Sequence, residues 1–319
     1  MTNLPRPIRG IIPPVLTPLA GRDQLDAPAF ERLLEHLIAG GSSALFILGS
    51  TGEAPGLSYR LRREVIDHAC AVAGSRIPIL VGITDTAFVE SVNAAEYAAK
   101  KGALALVLSP PFYYTLSQST FLGYLERLVR LLPLPLYLYN MPSYTKLVIS
   151  PETVRAAAAI PAIYGLKDSS GDRDYFRACK QAAAARPDFA LLGGVEEILA
   201  ELVSDGAHGG VCGGANLFPR LYVQLYEAAV RGDRELVSRL QKIVMTISAK
   251  VYTIGESGSA YLRGLKTAMS VLGIGNGCMA EPYEPLSADD RETLGRALSK
   301  VETLLSECPA ECWTTGVQS

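Results

Sequence analysis

Apolar residues fall along this chain in short, nearly unbroken runs, and between the runs they recur every three to four positions. The runs are GIIPPVLT (10–17), ALFILGS (44–50), PILVGIT (78–84), ALALVLS (103–109), LPLYLYN (134–140), AIYGLKD (162–168), FALLGG (189–194) and HGGVCGG (208–214). Near-continuous apolar runs of this length mark strands buried on both faces. The stretches between them, such as DAPAFERLLEHLIAG, SYRLRREVIDHACAVAG and VESVNAAEYAAKKG, read as amphipathic helices. Asp26 opens one of them, and glycine closes stretches of this kind, as helix starts and stops require. Strands alternating with helices imply a parallel sheet covered by helices. Eight such units predict an α/β fold of the (β/α)8 TIM-barrel type, with an open doubly wound sheet as the alternative. After Asn216 the strands cease and 219–231, 233–252, 257–272 and 287–305 all read helical. The expected organisation is therefore a barrel over 1–215 and a C-terminal helical appendage over 216–319.

Composition narrows the class. Of 319 residues 49% are hydrophobic and 19% charged, ample for a large core and far from a disordered chain. A net charge of −2 without a basic cluster leaves no electrostatic footprint for nucleic acid. No run of about 20 apolar residues is present to cross a membrane. Prolines 13, 14 and 18 interrupt the apolar start, so no signal peptide and a cytoplasmic location are expected. Cys70 and Cys179 fall in helix-like segments and read as buried free thiols. Cys308 and Cys312 flank CPAEC with no histidine near, and His36, His68 and His208 are scattered, so neither a metal nor another cofactor is expected. GIGNG (273–277) follows a helix rather than a strand, which does not support a nucleotide site.

In a barrel, reactive groups stand at the C-terminal ends of the strands. The sixth run passes straight into Lys167, where desolvation among apolar walls would favour the neutral amine that a carbonyl-attacking nucleophile requires. The bland alternative is a solvated cap. The fifth run ends LYLYN, and alternation puts Tyr137 and Tyr139 on one face, with Tyr139 nearer the mouth, where its hydroxyl could relay a proton. Core packing is the alternative there. The second run ends LGSTGE. Gly49 and Gly52 permit a tight turn whose amides, with the Ser50 and Thr51 hydroxyls, form a concave donor site for a carboxylate or phosphate, or else an ordinary polar turn.

Taken in order, GSTGE, PPFYY, YNMP, GLKDSSGD and GAHGGVCGGAN resemble the dihydrodipicolinate synthase / N-acetylneuraminate lyase family of class I aldolases and dehydratases, over roughly residues 8 to 300. The resemblance implies a (β/α)8 barrel with C-terminal helices, assembled as a homotetramer of paired dimers. It implies that Lys167 forms the imine with a small 2-oxo acid and that Tyr139 relays protons. Ser50, Thr51 and Gly49 would hold the substrate carboxylate, Ser50 also in the position of a relay hydroxyl, and Tyr113 would complete the relay from the neighbouring subunit.

The specificity positions depart from either specialist. Dihydrodipicolinate synthases read YNVPxRT, with an arginine for the second carboxylate, where this chain reads YNMPSYT and places Tyr144. Tyr59 and Arg62 stand where those enzymes carry the histidines of a lysine-feedback site. Glu196 and Glu197 of GGVEE are similar to the lyase's acidic pair and are expected to accept hydrogen bonds from sugar hydroxyls. The lyase's polyol-contacting serine is replaced by Gly213. Gly194 and Val211, at the seventh and eighth strand ends, complete the expected substrate-binding set. An aldolase or dehydratase of a 2-keto-3-deoxy sugar acid is the expectation, with pyruvate–aspartate semialdehyde condensation as the alternative. A non-catalytic homologue would have lost Lys167 or Tyr139, and both are present.

Overall fold

Each of the eight apolar runs supplies one strand: β1 (Gly10–Ile11), β2 (Leu45–Ile47), β3 (Ile79–Gly82), β4 (Ala105–Leu108), β5 (Leu136–Asn140), β6 (Ile163–Asp168), β7 (Ala190–Gly193) and β8 (Gly209–Gly210). This computed structural model describes residues 4–255 and 258–308. The strands are all parallel, in the order β1, β8, β7, β6, β5, β4, β3, β2. The two ends meet. Pro14 bridges Phe46, with Val15 N–H donating to the Phe46 carbonyl (2.8 Å) and Phe46 N–H to the Pro13 carbonyl (3.0 Å). Proline has no N–H to give a ladder, which is why β1 shortens to two residues while the chain still lies along β2 through the Pro13 carbonyl and the Val15 amide. The result is a closed (β/α)8 barrel.

The helices between strands are α1 (Ala27–Ala39), α2 (Tyr59–Ala73), α3 (Phe88–Lys101), α4 (Gln118–Leu128), α5 (Pro151–Ala158), α6 (Arg173–Ala182) and α7 (Leu199–Ser204). Asp26, Ser58, Ser117 and Ser150 cap α1, α2, α4 and α5 by accepting from a first-turn amide, which satisfies a donor that has no partner inside the helix. Helix α8 (Pro219–Arg231) packs against β1 and α7, and α9 (Arg234–Val251), α10 (Ala260–Val271) and α11 (Ala288–Ser306) follow. Thus α8, grouped with the appendage on sequence, lies in the barrel's outer ring. A hairpin (Leu19–Gly21 with Gln24–Leu25) and a helical turn (Pro142–Thr145) are too short for hydrophobic periodicity to reveal.

Strand alternation sorts the apolar side chains into two cores. Leu136, Leu138 and Leu166 face outward against the helices. Phe46, Val107, Tyr137, Tyr139, Leu192 and Val211 fill the barrel interior. Among the described residues no helix is long and apolar enough to cross a membrane. Cys70 and Cys179 are free thiols, half-buried and buried, whereas Cys312 lies outside the described residues.

Candidate active site

Lys167 points into the barrel because its register neighbours do. It pairs with Tyr139 on β5 and with Leu192 on β7, both interior residues. Its side chain is buried, with Nζ 3.9 Å from the centre of the Tyr139 ring and 5.3 Å from that of Phe46. Phe46 and Tyr139 meet edge to face, so the amine stands between two aromatic walls. Gly165, two residues earlier, makes room for its register partner Tyr137. A Cβ there would meet the Tyr137 ring at 2.9 Å and the Ala190 carbonyl at 2.4 Å.

Both motif residues that follow Tyr139 and Lys167 have structural partners. Asn140 Nδ2 donates to Asp168 (2.8 Å), and Asn140 Oδ1 accepts from the Ile149 amide (3.0 Å). Asp168 also accepts from the Ser170 amide and hydroxyl. Burial pushes the Asp168 carboxyl above its ordinary range, against the lowering by Asn140 and Ser170. These contacts clamp the ends of β5 and β6 together and fix Tyr139 beside Lys167. Asn140 and Asp168 escaped the reading of the sequence as functional. Their signal was polarity at matching ends of two adjacent apolar strands.

Above the strand ends lies a cleft of about 330 Å3 whose walls include Phe46, Gly49, Ser50, Glu53, Thr84, Ser109, Phe112, Tyr139, Tyr144, Ser259, Tyr261 and Tyr283. Gly49, Ser50, Tyr139 and Tyr144 thus meet at one cavity. The second-strand turn is forced by its backbone. Leu48 and Glu53 adopt left-handed φ of 55° and 56°, unusual for side-chain-bearing residues. Gly82 lets Leu48 approach, since a Cβ there would sit 2.0 Å from the Leu48 carbonyl. The Ser50 and Thr51 amides make no hydrogen bond within the described chain, leaving two donors at the turn. Glu53 is buried and ion-paired with Lys266 of α10, and it accepts from the Ala280 amide (2.8 Å). Burial pulls the Lys266 amine below its ordinary range, opposed by the Glu53 charge.

Other expected contacts are placed elsewhere. Glu196 does not face the cleft. Its carboxylate is buried and accepts from the Tyr222 and Tyr252 hydroxyls (2.5 Å each) and the Gly214 amide (3.1 Å). Burial raises its pKa, against the lowering by those hydroxyls. Glu197 accepts from Ser248 (2.5 Å), and its carbonyl accepts from Gln241. The acidic pair therefore fastens the seventh strand loop to α8 and α9 rather than offering acceptors to a sugar. Their partners lie 18 to 56 positions away in sequence, beyond any local pattern. Gly194 is required by packing, because a Cβ would lie 1.9 Å from the Ser169 hydroxyl. Val211 belongs to the barrel interior. Thr51 is covered by Tyr261, their hydroxyls 3.3 Å apart. Tyr113 is 70% exposed and outside its own chain's cleft, though Phe112 lines it.

A closed parallel barrel with a buried lysine at a strand end, a tyrosine paired with it on the adjacent strand and a donor-rich turn is the arrangement of lysine-dependent, class I aldolase-type lyases. The chain belongs to the dihydrodipicolinate synthetase family, whose model matches residues 7–301. It is 32% identical over 300 residues to an uncharacterized DapA-like lyase of Halobacterium salinarum, covering 94% of this chain and 96% of that one. It is 34% identical over 227 residues to a 4-hydroxy-tetrahydrodipicolinate synthase of Salinibacter ruber, covering 70% and 74%. Among solved structures, a dihydrodipicolinate synthase from Bacteroides thetaiotaomicron superposes with a TM-score of 0.91 at 50% identity, over 93% of this chain and 99% of that one. A prophage protein of E. coli K12 in complex with pyruvate, from the same family, superposes with a TM-score of 0.87 at 27% identity, over 92% and 98%.

Proposed function

We propose that the Lys167 amine adds to the carbonyl of pyruvate or a related 2-oxo acid and expels water to give an imine. The protonated imine nitrogen then accepts the electron pair when a bond to the adjacent carbon breaks, and returns it when one forms, so the carbon chemistry needs no metal. The observation that carries this reading is the buried Lys167 amine 3.9 Å from the Tyr139 ring beneath the cleft. Tyr139 moves the proton, the Gly49–Ser50–Thr51 turn holds the substrate carboxylate, and Tyr113 serves the site of a second copy in a homo-oligomer.

The cleft walls favour a hydroxylated partner. Among its described lining residues there is no arginine, lysine or histidine, and the one carboxylate, Glu53, is already neutralised by Lys266. Serine, threonine and tyrosine hydroxyls line it instead, which suits a 2-keto-3-deoxy sugar acid undergoing aldol cleavage or dehydration. A second reading, condensation of pyruvate with aspartate semialdehyde, draws on the names of the Salinibacter ruber and Bacteroides thetaiotaomicron relatives.

Incubation with pyruvate and borohydride is expected to leave a reduced pyruvyl group on Lys167, read by peptide mass spectrometry. Label elsewhere, or none at saturating pyruvate, overturns the mechanism. kcat/KM for a set of 2-keto-3-deoxy sugar acids, against pyruvate plus aspartate semialdehyde, decides the substrate. A tenfold or greater lead for the semialdehyde selects the second reading.

A further inference from the structure

Gly213, three residues past the end of β8, has no side chain, and the space a Cβ would take is already filled. An added Cβ would stand 1.8 Å from the Tyr261 hydroxyl oxygen and 2.9 Å from the carbon that bears it. Tyr261 does not belong to the barrel. It sits in the first turn of α10, and its side chain reaches over the strand ends to line the cleft. Its hydroxyl lies 3.3 Å from Thr51 Oγ1, and its ring meets the Tyr252 ring at 4.8 Å between centres. Tyr252 is held in turn by the buried Glu196 carboxylate. The appendage thus delivers a phenol into a gap left open on the barrel, at the turn with two unpaired amides.

Thr51 itself is not among the cleft walls, whereas Tyr261 is. A substrate carboxylate at the Ser50–Thr51 turn therefore meets the phenol on the cleft side, with the threonine hydroxyl behind it. We infer that Tyr261 is a substrate-binding residue, whose O–H donates to the carboxylate of the 2-oxo acid while Thr51 holds the phenol oxygen in place. Burial, and then the nearby Glu196 charge, push this phenol well above its ordinary range, so it remains a donor at neutral pH. Donation to a charged acceptor is the stronger kind of hydrogen bond, and its loss weakens binding roughly ten- to a hundredfold.

This inference rests on the imine-forming reading proposed above, and the test separates the two. The half-saturating pyruvate concentration for borohydride trapping at Lys167 is compared between wild type and Tyr261→Phe. The expected result is a rise of about tenfold or more in the variant, with the trapping rate at saturation little changed. Wild-type label at Lys167 with an unchanged half-saturation in Tyr261→Phe overturns the role of Tyr261. No label in the wild type overturns the Schiff base instead. A second arm uses the gap. Gly213→Ser alone drives its Cβ into the phenol and is expected to lose pyruvate binding. Gly213→Ser with Tyr261→Ala removes the collision and restores a hydroxyl on the same side, and is expected to bind pyruvate more tightly than either single variant. Equal weakening in all three assigns Gly213 and Tyr261 to packing alone and also overturns the proposal.

Discussion

Tyr137 and Tyr139 share strand β5 and the barrel interior, and only position along the strand separates them. Tyr139 reaches the cleft, whereas Tyr137 lies fully buried beneath it with no hydrogen-bond partner for its hydroxyl among the described residues. Burial pushes the Tyr137 phenol far above its ordinary range. Tyr139→Phe is expected to lower kcat by about 10²-fold or more, the usual loss for a positioned proton-transfer group, while Lys167 can still be trapped. Tyr137→Phe removes a buried, unpaired hydroxyl and should leave kcat unchanged while raising stability by about 1 kcal/mol in chemical unfolding. At the cleft mouth, Tyr144 is 53% exposed and cannot form the bidentate pair a guanidinium makes with a carboxylate. Tyr144→Arg is expected to raise kcat/KM for aspartate semialdehyde by about tenfold or more, against a flat or falling response to sugar acids. Equal gains for both would show that Tyr144 does not discriminate between them.

The eight strands were legible because each is a contiguous apolar run, and the placement of Lys167 and Tyr139 at strand ends was legible because a polar group ending such a run is conspicuous. Glu196 was misread for the opposite reason. Two acidic residues after a strand look like cleft acceptors, and only α8 and α9, folded back over them, turn Glu196 toward tyrosines. Lys266 and Tyr261 gave no local signal, since each matters through a residue more than 200 positions away. Lys266 is buried against Glu53, and removing one partner of such a pair leaves an uncompensated charge. Lys266→Met is expected to cost about 3–5 kcal/mol in unfolding free energy, and Glu53→Gln in the same chain should recover much of it. Helix α1 carries a pH dependence of its own. His36 donates from Nε2 to the Leu217 carbonyl (3.2 Å), and burial holds its pKa below the ordinary histidine value. A depressed folded pKa means the unfolded chain takes up the proton first, so this contribution is complete above about pH 6.5 and is lost as pH falls through the folded value. Melting temperature between pH 7.5 and 5 should fall less steeply in His36→Gln than in wild type.

On the scale of the whole molecule, the loop after β4 turns Phe112 into its own cleft and leaves Tyr113 and Tyr114 exposed, which is where the proposed sharing between copies can be tried. Tyr113→Phe and Lys167→Ala, each expected to be nearly inactive, are mixed after dissociation and allowed to reassemble. If Tyr113 serves the neighbour, half of the dimers are mixed and one of their two sites is complete, so about a quarter of wild-type activity returns. No recovery, despite mixed dimers seen by native mass spectrometry, means that Tyr113 acts within its own chain or not at all. A different consequence follows from the three acidic and hydroxylic anchors on the barrel, Thr51, Glu53 and Glu196, whose partners include Tyr261, Lys266 and Tyr252 on the helices after the barrel. Those helices are wired into the Ser50–Thr51 turn rather than attached beside it, so the two parts of the gene are bound to a shared history. A crossover at Asp233 that imported a relative's final helices would bring in a stranger's residues at 252, 261 and 266 against an unchanged Gly213. Lineages that survive such an exchange should be those in which the glycine and the tyrosine changed hands together.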